Sequence, residues 1–374
     1  MGVVGVSSSR TPFATKKRIA LFDNIKGVAI ILVVLGHFCG IVQSLSDSHL
    51  IVAALGFTYA FHMPLFIFAS GIFAGASWYK RHKAPSDKVL LYLILYLIFL
   101  GLVVLLDLVV LHKMPEVNPF NIGSAPWFML VLALFMLVVP VIGSVRPVSF
   151  LVLAVVMAVG SGVFLKDATT LSLSRFFVYL PYFALGFYLQ PSNVERVVDV
   201  VQNRIGERAR ILLAAVVLVA VCLVFYFCLN DRELTLIKRV SSGLNLLSAL
   251  SVSWNYPLWF MIVLRLEDYV LASFLCLLVI MLCPKKRCFL TFMGERSFQV
   301  YILHMLIVYC INDFNLYERL DGMGPVLVFS PFVIAPLLTA LLAAPKAPNN
   351  AVQVISRWTK KITVERNSPM ERSM

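Results

Sequence analysis

The sequence predicts an all-α integral membrane protein of about ten transmembrane helices, with both termini in the cytoplasm. Three observations lead there. Of the 374 residues, 60% are hydrophobic and only 14% charged, and the mean hydropathy is +0.89, which excludes an ordinary soluble globular protein. The apolar residues form continuous runs of about 20 rather than alternating segments of about 10, which selects helices over barrel strands. Basic residues gather in every second loop between those runs, as the positive-inside rule requires.

In chain order, residues 1–20 read as a disordered basic tail ending in Lys16, Lys17 and Arg18. It contains no separate short apolar core, so no removable signal peptide is expected and the first span itself directs insertion. Apolar spans follow near 25–44, 51–75, 89–111, 127–144, 148–165, 174–190, 210–229, 262–283, 298–312 and 325–344. Together they define a multi-pass membrane domain over 21–344, and 345–374 form a second basic tail. Ten spans put Lys80, Arg81, Lys83, Lys88, Arg146, Arg196, Arg204, Arg208, Arg210, Lys285, Lys286, Arg287 and Arg296 inside, leaving only Lys113, Lys166 and Arg319 in the outer loops apart from one exception. That exception is 230–261, with Lys238 and Arg239 followed by Trp254, Tyr256 and Trp259; an outer-face or re-entrant segment fits it best, because an eleventh span would put the basic tail outside. The stretch from Val194 to Arg210 reads as a charged, partly helical linker between six spans and four.

Several functions are excluded. The net charge of +13 sits in short loops where it sets topology, so no nucleic-acid partner is expected. The seven cysteines show neither metal-ligand spacing nor a disulfide framework, and no metal site is predicted. There is no phosphate-binding glycine loop, GxSxG elbow or HExxH helix on which a nucleotide-driven pump or a protease would depend.

Polar residues inside the apolar runs carry the functional signal, since each one costs free energy unless it has a partner or a task. Asp23 and Lys26 stand three apart at the start of the first span, where a local ion pair explains them as well as a function does. His37 follows Lys26 by eleven positions, within about 20° of the same helix face and roughly 16 Å further along the axis. Gly36 and Gly40 flank it and leave room for a neighbouring backbone or a ligand. His62 precedes Met63 and Pro64 on the second span, where proline frees a carbonyl and bends a helix. Helix packing is the competing explanation for either histidine. Ser70 is satisfied if it bonds back to its own helix. Arg175 and Tyr179 lie four apart near the outer end of the sixth span, where Arg175 either snorkels outward or meets a ligand. Arg265, Glu267 and Asp268 read as another helix-end cluster, Asp107 as interfacial, and His304 as intramembrane on the ninth span.

The order Asp23, Lys26-Gly27, LVVLGH ending at His37, then FHMPLFIFASG from Phe61 to Gly71 resembles the opening of the acyltransferase-three family of integral membrane O-acyltransferases, and is most similar to its fucose 4-O-acetylase-like branch. That family's basic-x10-His signature is met by Lys26 and His37. PWF at Pro126–Phe128, the segment from Arg175, and GERSFQVYILH from Gly294 to His304 fall in the family's order, so the resemblance covers roughly 18–344. The arginine-rich start usual for the third helix is replaced by SDKVLLY, and no esterase-like domain follows, so transfer is expected to finish within the membrane domain.

The resemblance implies transfer of an acyl group, most simply acetyl from acetyl-CoA, to a hydroxyl of a cell-surface carbohydrate or lipid-linked glycan at the cell membrane. In that reading His37 and His62 are catalytic, with His37 either a general base or an acyl carrier. Lys26, oriented by Asp23, joins Lys80 and Arg81 in attracting the CoA phosphates. Ser70, Arg175, Tyr179 and His304 meet the acceptor. Two other classes compete: a glycan or lipid transporter using the histidines as a proton relay, and a receptor-like scaffold whose polar residues only hold helices together.

Overall fold

The computed structural model describes residues 19–115, 118–120, 125–165, 170–243, 256–320 and 322–365. The expectations for Lys16 to Arg18, Lys166, Trp254 and the last basic residues, Arg366 and Arg372, lie outside these. Every regular element among the described residues is helical: α1 (Ala20–Gln43), α2 (His49–Arg81), α3 (Ser86–Val109), α4 (Trp127–Ser144), α5 (Pro147–Phe164), α6 (Leu173–Ile205), α7 (Glu207–Phe227), α8 (Asp231–Ser241), α9 (Leu258–Leu282), α10 (Phe289–Glu295), α11 (Ser297–Asp313), a 3₁₀ turn (Glu318–Leu320), α12 (Gly324–Ala343) and α13 (Lys346–Glu365).

Six of these, α1, α2, α3, α4, α7 and α12, are long and apolar enough to cross a membrane. Helices also stand at the other four expected span positions, with features that set them apart. α9 carries Arg265, Glu267 and Asp268, α11 has 17 residues, α5 is a short apolar helix, and α6 is apolar only in its first half. Outward faces are apolar: Val326, Phe329, Val333, Leu337 and Leu341 on α12 are all more than half exposed. A stripe with that period suits lipid contact and would be costly in water.

α1 lies against α2, α9, α10, α11 and α12. Its start is clamped by backbone proximity, for a Cβ on Gly294 would come within 1.7 Å of the Asp23 carbonyl oxygen and one on Gly27 within 2.2 Å of the Leu290 carbonyl oxygen. Asn24 completes the clamp, donating to the carbonyls of Pro284 (2.7 Å) and Lys286 (3.0 Å). We call this the Lys26 end. At the opposite, Gln43 end, Lys113 bridges to Asp313 at 2.7 Å, Lys238 donates to Gln43 at 2.7 Å, and the Tyr317 ring meets Phe38. That Asp313 partner raises the Lys113 pKa.

One expectation is corrected and two stretches are defined. The 194–210 stretch is helical except at Gly206: α6 kinks at Gln190 (φ 45°, ψ 155°) and continues to Ile205, and α7 starts directly after Gly206. Arg210 is accordingly no loop cation; it is buried on α7, and its guanidinium donates to the carbonyls of Met281 and Cys283 at the end of α9. Within the expected basic tail, Lys346–Glu365 form helix α13, packed on α3. In the irregular 230–261 region, α8 is a short amphipathic helix started by a reciprocal Asn230–Glu233 cap (3.0 and 2.9 Å); residues 244–255 are not described.

Candidate active site

Arg265 is not at a helix end. It is buried a third of the way along α9, donates to the Val240 carbonyl at 2.5 Å and pairs with Asp268 at 3.7 Å. Asp268 in turn accepts from the Ser241 hydroxyl. Tyr179 of α6 donates to the Ser241 carbonyl at 2.8 Å, and Ser174 to that of Gly243 at 3.0 Å. The carbonyls that end α8 are therefore satisfied by neighbouring helices, and this fixes where Lys238, Arg239 and Ser242 stand.

Those three residues form one wall of a cavity of about 520 Å³. Its other walls are His37 on α1, Tyr59 and His62 on α2, Trp127 at the start of α4, Arg175 and Tyr179 on α6, and Tyr301 and Tyr309 on α11. A second cavity of about 450 Å³ lies between α1, α11 and the 312–318 turn, with Gly40, Ser44, Asn312, Asn315 and Glu318 in its lining. His37 and Tyr59 belong to both linings, so the two chambers meet at the histidine.

Each wall has a local cause. The Arg175 guanidinium lies 4.7 Å from the centre of the Trp127 ring, and Tyr179 stacks on that ring at 5.8 Å and 20°. Arg175 is buried and does not snorkel. Tyr301 donates to the Ala125 carbonyl at 2.6 Å and so ties α11 to the entry of α4. Lys238 sits 5.6 Å from the Tyr59 ring centre. Burial, with the neighbouring charge of Arg239, lowers the Lys238 pKa.

The histidines are held in defined tautomers. The Nδ1 of His62 bonds the Thr58 carbonyl at 2.7 Å and that of His304 bonds the Val300 carbonyl at 2.8 Å. A carbonyl only accepts, so both neutral rings donate from Nδ1 and keep Nε2 as a proton acceptor. The Nε2 of His304 has no hydrogen-bond partner among the described residues. Its ring stands 5.3 Å from that of His37, centre to centre, and is fully buried behind it, outside the cavity lining.

The structure thus gathers His37, His62, Arg175 and Tyr179 around one space, with His304 in support. It leaves the remaining expected site residues elsewhere. Asp23 and Lys26 form an ion pair of 2.6 Å at the other end of the unbroken α1, with Lys26 5.4 Å from the Phe73 ring centre. Lys80 and Arg81 are exposed at the end of α2, where Arg81 donates to Ser77. Ser70 donates to the Phe66 carbonyl of its own helix at 2.9 Å. Asp107 is buried, 3.6 Å from Lys113. Among the described residues no three or more His, Cys, Asp or Glu side chains are grouped to hold a metal ion. Sequence reasoning did not assign Tyr59, Lys238, Arg239, Tyr301 or the 312–318 turn. Tyr59 and Tyr301 lie three residues before His62 and His304, on the same helix faces, and Lys238 and Arg239 break the loop-charge pattern, so a signal existed for each.

Lipid-facing apolar stripes around a polar interior define a helical membrane protein. The chain belongs to the acyltransferase-three family: the family described as Acyltransferase domain matches residues 19–344. It is therefore an acyltransferase. Comparison with curated proteins and with solved structures gave no match.

Proposed function

We propose that this protein moves an acetyl group from acetyl-CoA to a hydroxyl of a cell-surface or lipid-linked carbohydrate, with the Lys26 end of the bundle in the cytoplasm of a cell whose outer membrane face it serves. The observation that carries this reading is the position of His37 where two chambers meet, one polar and one aromatic and cationic, so that an acceptor occupying them reaches one imidazole while the donor approaches from the Lys26 end. The chemistry balances directly. His37 takes the acceptor hydroxyl proton as the oxygen attacks the thioester carbonyl; the tetrahedral intermediate then expels the CoA thiolate, which recovers the proton. His62, aimed by its bond to Thr58, shares the cavity wall and orients the reacting groups. Lys26, held by Asp23, supplies with Lys80 and Arg81 a cationic approach for the CoA phosphates.

Family membership favours transfer over transport, and the convergence of histidines on an open space gives them more than a scaffold's task. Purified protein in lipid nanodiscs, given labelled acetyl-CoA and cell-surface glycan, is expected to release CoA and label the glycan, and His37→Ala to do neither while remaining folded. Glycan movement without labelling would overturn the proposal.

A further inference from the structure

We infer that the larger chamber is an anion-binding subsite and that the acceptor carries a carboxylate or phosphate close to the hydroxyl that is acylated. The inference rests on the proposed acyl transfer and names the acceptor's chemistry. Three cations, Arg175, Lys238 and Arg239, come from two helices to one cavity of about 520 Å³, and among the described residues its lining contains no carboxylate. Asp268 is held by Arg265 and Ser241, and Glu233 caps α8. Lys238 bonds a neutral amide, that of Gln43, and also lies near the face of Tyr59. Arg175 is 6% exposed, lies against Trp127 and holds its charge at depth. Clustered cations with aromatic walls suit a sugar ring bearing a negative group, the ring against the aromatic walls and the charge on the cations. The second chamber, with Asn312, Asn315, Ser44 and Glu318, offers a mixed neutral and acidic lining and does not select an anion.

The location separates this site from the donor's approach. Lys26, Lys80 and Arg81 stand at the other end of α1 and α2, so two cationic regions, one at each end, attract two different anions. Removal of charge from α8 should accordingly weaken the acceptor and spare the donor.

The test uses the whole protein in phosphatidylcholine nanodiscs and calorimetric titration with three probes: methyl glucuronide, glucose 1-phosphate and methyl glucoside. At least one of the two anionic sugars is expected to bind, and the neutral one to bind about tenfold more weakly, as loss of one charge-assisted hydrogen bond implies. Which of the two binds distinguishes a sugar carboxylate from a phosphate linkage. Lys238→Gln and Arg239→Gln, each checked by thermal melting, should weaken the anionic sugar about tenfold, with Lys238→Arg restoring it and acetyl-CoA binding unchanged. Anionic sugars that bind no better than methyl glucoside, or variants that lose acetyl-CoA instead, would overturn the subsite. Glycan acetylation in the native protein is scored separately, so anion binding without any transfer sinks the enzymatic reading alone.

Discussion

His304 stands against His37 with ring centres 5.3 Å apart, its Nδ1 committed to the Val300 carbonyl and its Nε2 without a hydrogen-bond partner among the described residues. It lies against His37 and outside the cavity lining, so in the proposed transfer its part is to position His37. Misplacement of a reacting group by an ångström costs about 100-fold in rate, and His304→Ala should lower kcat by about that factor with KM for both substrates little changed. Loss of the neighbouring ring should also move the acid limb of the kcat–pH profile, which a purely structural defect does not do. His37→Ala, by contrast, should lose transfer altogether and show no residual pH dependence.

Gly40 gives a direct test of the second chamber. A Cβ there would meet nothing within 4 Å, and the residue belongs to the lining of the 450 Å³ cavity. Gly40→Leu therefore starts into open space and extends into the chamber, and helix propensity predicts a gain of roughly 0.5–1 kcal/mol in stability. Steady-state kinetics should show acceptor KM raised about tenfold or more with the melting temperature unchanged or higher. A variant with normal KM would remove the chamber from the reaction.

The sequence made much of this legible for physical reasons, and the remainder was hidden for others. Apolar runs and loop charge located the helices because the bilayer imposes length and sign directly. His37 and His62 stood out because imidazoles are costly in lipid. Ser70 illustrates the opposite case: its bond to Phe66 is local and was foreseeable, and it removed the residue from the site. Arg210 and Lys238 were hidden because hydropathy reads a cation next to an apolar run as a loop. Only the tertiary partners, the Cys283 carbonyl for one and Gln43 for the other, show that both have places in the packing. The depth of Arg175 likewise follows from Trp127, which is 48 positions away in the chain.

The Gly294 contact predicts a strict size limit. A methyl group at this position would overlap the Asp23 carbonyl oxygen at 1.7 Å, and backbone cannot yield as a flexible side chain can. Gly294→Ala should destabilise the protein by about 1–3 kcal/mol or more, the cost of overpacking a tight site. Because the contact seats the start of α1, detergent melting curves and acetyl-CoA KM should worsen together, whereas Gly40→Leu separates them.

Arg265 and Asp268 are 2% and 8% exposed, and between them they hold Val240 and Ser241 at the end of α8. Arg265→Met leaves a buried carboxylate without its partner, which costs about 3–5 kcal/mol. The double variant Arg265→Met, Asp268→Leu removes both charges and should recover part of that loss in a melting experiment. Acceptor binding should stay weak even in the double variant, since α8 would no longer present Lys238 and Arg239 correctly. Full recovery of binding would show that the cavity does not depend on this anchor.

Lys26 belongs to the region we assign to CoA, and its ion pair complicates the obvious experiment. Asp23 is 4% exposed, so Lys26→Gln alone strands a buried carboxylate and confuses binding with folding. The double variant Asp23→Asn, Lys26→Gln keeps two polar side chains at similar volume without either charge. It should melt close to the native protein while KM for acetyl-CoA rises about tenfold, the loss of one charge-assisted contact, and acceptor KM should not move. Raising the ionic strength should weaken acetyl-CoA binding in the native protein more than in the double variant, because screening acts on the charge that has been removed. Equal salt sensitivity in the two proteins would place the CoA phosphates elsewhere and leave Asp23 and Lys26 as a local ion pair at the start of α1.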